Sequence, residues 1–184
     1  MEAGLRGEVE SDVPCGTCTA CCRSSQFVLV TPDDVGAIAH IPNELLFPAP
    51  LQPKGYLVMG YNEQGHCPMF VDNQCSIYDN RPRTCREYDC RVFPAAEIPV
   101  GVEKPLVAQQ VDRWRFSYDD DTSRAKHDAV RAAAVFIRSN RDELPSTVLP
   151  RSSARHAIMA IEMNEMFLDG EPDIESVRSW LLDR

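Results

Sequence analysis

The sequence has little that would take it to a membrane or a nucleic acid. The longest purely apolar stretch of its C-terminal half, Ala132 to Ile137, is far short of the roughly 18 residues a bilayer crossing needs. The opening MEAGLRGEVESDVP carries Glu2, Glu8, Glu10 and Asp12 and lacks the apolar centre of a secretory signal, so a cytoplasmic location is expected. Basic excess is missing too. With 19 Lys and Arg against 28 Asp and Glu, the formal net charge is −9, and the attraction that draws proteins to phosphate backbones or anionic lipid is absent. Neither G-x-G-x-x-G nor G-x-x-x-x-G-K occurs, which removes the usual dinucleotide and phosphate-cradling fingerprints. There is no internal repeat, and residues 91–184 contain no cysteine.

What the second half lacks, the first half concentrates. All 8 cysteines lie between Cys15 and Cys90. In a reducing cytoplasm such a set is not expected to form disulfides, and metal or redox chemistry becomes the leading explanation. Cys15, Cys18 and Cys21 repeat the Cys-x-x-Cys interval twice, the spacing at which a tight turn aims two sulfurs at one ion in zinc knuckles and iron–sulfur loops. Three cysteines at this interval with a remote cysteine before proline resemble the bacterial ferredoxin run, and here Cys67 precedes Pro68. Cys22 follows Cys21 directly. Adjacent side chains diverge in extended backbone, so these two serve different ions, or different atoms of a cluster, more easily than one tetrahedral ion. The remaining thiols, Cys67, Cys75, Cys85 and Cys90, match no standard zinc spacing and must be assembled by the fold. All eight are taken as candidate metal ligands.

The order of these pieces resembles the YkgJ-type cysteine-cluster family of zinc- or iron-chelating domains. The resemblance rests on Cys15-Gly-Thr-Cys18-Thr-Ala-Cys21-Cys22, Cys67-Pro68-Met69-Phe70, Cys75-Ser76-Ile77-Tyr78 and Arg81-Pro82-Arg83-Thr84-Cys85-Arg86-Glu87-Tyr88, over residues 15 to about 94. It implies metal or iron–sulfur binding. Some larger relatives of that family are flagellin lysine methylases, and nothing comparable to their additional regions is evident in this chain.

Around the thiols, Arg81, Arg83, Arg86 and Arg91 stand in an otherwise acidic chain. They either offset the negative charge of a thiolate centre or pair with Asp79, Glu87 and Asp89. His66 adjoins Cys67 and is a further nitrogen donor to consider.

Elsewhere the pattern is structural. Gln26–Val30 reads as a strand, followed by a helix that Thr31 caps with Pro32 in its first position. The proline-rich stretch 42–55 reads as loop with one helical turn near Glu44–Phe47. Strands at 56–59 and 69–71 follow, with a reversal at Asp72-Asn73-Gln74. The passage from Pro94 to Pro105 reads as irregular, Val107–Phe116 as extended, and Asp119–Asp121 as a solvated loop. Helices are expected over 123–141, 152–169 and 173–182.

The expectation is therefore an α+β protein: a small metal-centred cysteine-cluster domain with short strands and a hairpin, and C-terminal helices packed on it. Residues 1–13 form an acidic tail, 14–105 the cysteine-cluster domain and 106–184 the helical region. The leading function is an iron–sulfur protein acting in electron transfer, metal handling or as an oxidoreductase accessory. One rival is a zinc-organised module that binds a protein partner. A second is a metal-dependent group-transfer enzyme related to the flagellin lysine methylases. Thiolate ligands alone do not separate iron from zinc.

Overall fold

The expected strand at 26–30 forms as β1 (Val28–Val30) in the computed structural model, which describes residues 16–183. Its β-branched residues pair with β3 (Leu57–Met59), and β3 pairs on its other side with β2 (Leu46–Pro48), both antiparallel, giving the order β1-β3-β2. Alternation along the strands sends Val28, Val30, Leu57, Met59 and Leu46 to one face, where they meet Ala37, Ile41, Met69 and Ile77. β2 falls where a helical turn was expected over Glu44–Phe47. The turn occurs one residue earlier, as a 3-10 turn at Asn43–Leu45, and the chain then extends. Pro48 is compatible with a strand because β2 is an edge and needs no N–H from it on the outer side.

The helix after β1 is α1 (Val35–His40), and it starts later than the Thr31-Pro32 signal implies. Thr31 donates to Asp34 through both N and Oγ1, so the Thr-Pro-Asp-Asp segment closes a turn on the Asp34 carboxylate and does not cap the helix with a hydroxyl. A second sheet, β4 (Phe70–Val71) with β5 (Gln74–Cys75), is the expected hairpin. Asp72 and Asn73 both take positive φ, 50° and 61°, the conformation of a two-residue turn whose twist matches the strands. A 3-10 turn at Tyr78–Asn80 leads to α2 (Arg83–Glu87).

Two expectations of irregular or extended chain are corrected. α3 (Val92–Ala95) is a single helical turn, and its Pro94 falls where a first-turn N–H has no intrahelical partner to lose. α4 (Pro105–Val111) occupies the start of the segment expected to be extended. Proline at its first position presets φ, and the spacing of the wholly buried Val107 from Val111 is helical.

Three helices follow: α5 (Asp121–Ser139), α6 (Ser153–Glu162), continued as a 3-10 turn over Asn164–Phe167, and α7 (Ile174–Leu182). Each begins at a side-chain cap, with Asp120, Ser152 and Asp173 accepting from the N–H of Ser123, Arg155 and Ser176. The aspartates of 119–121 thus start a helix where a solvated loop was expected. Alanines on α5 and α6 (Ala133, Ala134, Ala157, Ala160) let the helices approach closely, and Phe136 meets Phe167 edge-on at 5.5 Å.

The described chain is α+β and divides into two compact units. The thiol unit comprises 16–89 with 102–110, and the helical unit comprises 90–101 with 111–183. The core of the helical unit has twenty buried apolar residues and that of the thiol unit has six. No described helix is long and apolar enough to cross a membrane.

Candidate metal centre

Four segments of the thiol unit converge on one cavity of about 350 Å³, and between them they contribute Cys18, Cys21, Cys22, Cys67, Cys75 and Cys85 to its wall. The first segment turns at Gly16 (φ 56°) and winds into a 3-10 turn at Cys21–Arg23, closed by Ser24 Oγ donating to Ala20 O at 2.5 Å. This winding aims Cys21 and Cys22 from a turn, not from the extended backbone assumed for adjacent residues, and both line the same cavity.

Backbone bonds fix this turn to the second segment. Cys67 N donates to Cys22 O at 2.7 Å, and Ser25 N donates to Gly65 O at 2.7 Å. Gly65 has φ 75°, and a Cβ there would stand 2.4 Å from Ser25 Oγ, so both its conformation and the space beside it demand glycine. Asn62 Oδ1 accepts from the N–H of Gln64 and His66 and shapes the turn that delivers Cys67.

The third segment is α2, which carries Cys85. Asp34, 5% exposed, accepts from Arg83 N at 2.6 Å, and Thr84 Oγ1 donates to Leu29 O at 2.9 Å. Helix α2 is thereby tied at its first turn both to the segment before α1 and to β1. Cys75 arrives on β5, opposite Phe70.

The electrostatics show which thiols feel one another most. Burial, followed by the neighbouring Cys67, Cys22 and Cys75, pushes the Cys85 thiol up to about 12, and the Arg81 guanidinium draws it partly back. Cys67 is also raised, chiefly by burial and in smaller part by Cys75, while the N–H groups of Met69 and Phe70 hydrogen-bond its sulfur and oppose the rise. Thiols in this state stay protonated near neutrality until a metal supplies the countercharge that drives the protons off. The donor set fits a thiophilic metal. Among the described residues, however, no three His, Cys, Asp or Glu side chains converge closely enough to hold a single ion. No disulfide joins the described cysteines.

Cys15 lies outside the described residues. Cys90 belongs to the helical unit, where it packs against the core and its sulfur accepts from Trp114 Nε1 at 3.4 Å. His66 is not on the cavity wall and meets Phe70 edge-on at 5.6 Å.

The four arginines separate by role. Arg83 pairs with Glu87 at 2.6 Å on an exposed surface, and Arg91 lies over Trp114 at 5.6 Å. Arg81 is on the cavity wall, stacked on the Tyr78 ring at 3.6 Å, and its charge reaches Cys85. Sequence reasoning did not single out Gly65 or the linking role of Asp34. A glycine beside a cysteine pattern marks only a turn, and Asp34 acts through Arg83, a partner no local pattern reveals.

Comparison with known proteins agrees with this geometry. Residues 14–104 match the model of the CxxCxxCC family, described as a putative zinc- or iron-chelating domain. No curated protein and no solved structure matches the chain.

Proposed function

Since residues 14–104 belong to the CxxCxxCC family of zinc- or iron-chelating domains, we propose that the chain is a cytoplasmic iron–sulfur protein that works in electron transfer, metal handling or as an accessory to an oxidoreductase. The observation that carries the reading is the cavity itself: six thiols line a space of about 350 Å³. A mononuclear tetrahedral site gathers four sulfurs at about 2.3 Å from one ion. A cluster brings its own sulfides and distributes its metals, so thiolates can reach it from the sides of a wider space.

Cys22, Cys67, Cys75 and Cys85 are the thiols coupled through Cys85, and they form the central ligand set of the proposal. Cys18 and Cys21 share the wall. Cys15 stays in the proposed set through the Cys-x-x-Cys interval it begins. Amide N–H groups on the Cys67 sulfur and the Arg81 charge would stabilise the more negative state of a bound centre, which favours its reduced form.

The zinc-organised module is the second reading, and the small core of the thiol unit favours it, because a structural ion contributes folding energy where apolar burial is scarce. One experiment separates the two. Anaerobic purification followed by metal analysis, acid-labile sulfide assay and a visible spectrum gives, for the first reading, a brown protein with iron and sulfide. A colourless protein with stoichiometric zinc excludes it.

A further inference from the structure

Two backbone bonds clamp the first cysteine turn to the segment that delivers Cys67. Cys67 N donates to Cys22 O and Ser25 N donates to Gly65 O, each at 2.7 Å, so residues 22–25 and 65–67 lie side by side in opposite directions. An N–H···O bond between antiparallel chains sets the Cα atoms of its two residues about 5–6 Å apart, inside the range of about 4.4–6.8 Å seen in disulfides. Separation alone is not enough, because the two side chains must also enter the same space. Cys22 and Cys67 both line the one cavity, and both are partly exposed, within reach of a small oxidant. The clamp has little freedom to drift. Gly65 leaves no room for a Cβ beside Ser25 Oγ, and Asn62 Oδ1 holds the turn through the N–H groups of Gln64 and His66. A bridge from Cys22 to Cys67 closes a loop that contains all three strands of the β1-β3-β2 sheet. The core cluster beneath that sheet has six buried residues, and a small core is the setting in which a covalent staple adds most.

We propose that Cys22 and Cys67 form a reversible disulfide when the metal-free chain meets hydrogen peroxide, so that the bridge and the metal exclude each other from the cavity. In the first step one of the two sulfurs attacks a peroxide oxygen: an S–O bond forms, the O–O bond breaks, and the departing hydroxide leaves as water with the thiol proton. In the second step the other sulfur attacks the resulting sulfenic acid, an S–S bond forms, and its thiol proton leaves with the hydroxyl as a second water. The two sulfurs lose two electrons and the peroxide gains them. A dithiol reverses the bridge by exchange. Cys22 and Cys67 are two of the four thiols coupled through Cys85, so the bridge removes half of the central ligand set. The exclusion rests on the metal-centre reading above; the bridge rests on the backbone clamp alone.

The test uses the full chain, reduced and metal-free, treated with one equivalent of hydrogen peroxide, alkylated with iodoacetamide and digested without reductant. Mass spectrometry is expected to find the peptides of Cys22 and Cys67 joined, with fragmentation placing the bond on these two sulfurs and both losing their alkylation. Dithiothreitol added before alkylation should restore both. The Cys22→Ser variant should leave Cys67 unbridged, and the mapping of the wild-type chain decides the matter even if that variant does not fold. Cys67 that remains alkylated after peroxide, or that is joined to a cysteine other than Cys22, overturns the proposal. The same treatment of the zinc-loaded or iron-loaded chain should give no bridge, and a bridge formed equally fast there overturns the exclusion. Metal uptake by the reduced preparation tells the failures apart. A chain that takes up zinc or iron but does not bridge sinks only this inference, whereas one that bridges but takes up neither sinks the metal-centre reading and leaves the disulfide standing.

Discussion

Replacing Asp34 with alanine removes the link that holds the helix bearing Cys85. The carboxylate is 5% exposed and accepts from Thr31 N at 2.8 Å, Thr31 Oγ1 at 3.0 Å and Arg83 N at 2.6 Å. Hydrogen bonds to a charged group contribute about 1.5–3 kcal/mol each. Thr31 is half-buried, so its two donors recover water when the carboxylate goes, and their loss falls at the low end. Arg83 N is the first N–H of a five-residue helix that cannot hold itself in water. The expected loss is about 3–5 kcal/mol, a large share of the roughly 5–15 kcal/mol that stabilises a domain. The damage is directed at the centre, because α2 carries Cys85 and metal affinity falls with the population of the binding-competent arrangement. Urea unfolding of the reduced, metal-free wild-type protein and the D34A variant measures the stability term. Chelator competition on the loaded proteins measures the second. Asp34→Asn keeps an acceptor for Arg83 N but presents an amide donor to Thr31, and should fall between the two. If D34A lies within about 1 kcal/mol of wild type, the range of an ordinary surface change, α2 is not held by this carboxylate and the reasoning fails.

Serine at Cys85 or Cys75 should lower metal content in proportion to the ligands lost, measured as metal per folded chain; unchanged stoichiometry would place the centre elsewhere. Gly65→Ala meets both a φ of 75° and a Cβ position 2.4 Å from Ser25 Oγ, and should cost at least about 1–3 kcal/mol by denaturant unfolding. Adding Ser25→Ala should restore only the part due to contact, leaving the conformational part. In the helical unit, burial and then the Arg131 charge hold His127 below its ordinary value of 6.5. The neutral ring is the form the fold prefers, so its contribution is complete above about pH 6.5 and is lost as pH falls through that value toward the lowered one. Comparing wild type with His127→Gln between about pH 7.5 and 5 should show a shallower decline in the variant, and parallel profiles would refute the assignment.

The features legible in the sequence are those whose cause is local. Cys-x-x-Cys spacing, the Asp72-Asn73 reversal and the caps at Ser152 and Asp173 each depend on a few consecutive residues, and each marks its element. The extended reading of Val107–Phe116 failed because helix and strand periods differ little over so short an apolar run, and the deciding residue was Pro105, just outside it. Pro48 suppressed a strand that edge position permits. At the site, the sequence supplied the thiols but not their company. That Cys85 senses Cys22, or that Arg83 N reaches Asp34, depends on contacts between segments distant in sequence.

The difference between the two cores bears on how a metal centre and a fold can coexist. The core cluster of the helical unit has twenty buried apolar residues, whereas that of the thiol unit has six, two of them the methionines of the cavity wall. A protonated thiol behaves as a small hydrophobe, so the lining thiols, with Val28, extend that thin core while they keep their protons. The high value at Cys85, about 12, expresses the same fact: the fold favours the neutral thiol and resists a bare thiolate beside three others. Charge therefore enters the cavity only together with the metal that neutralises it, and proton release accompanies metal uptake. Such a unit avoids the burden of unpaired buried charge in either protonation state. The Arg81 guanidinium, stacked on Tyr78 at the wall, pulls the Cys85 value down and so favours that exchange.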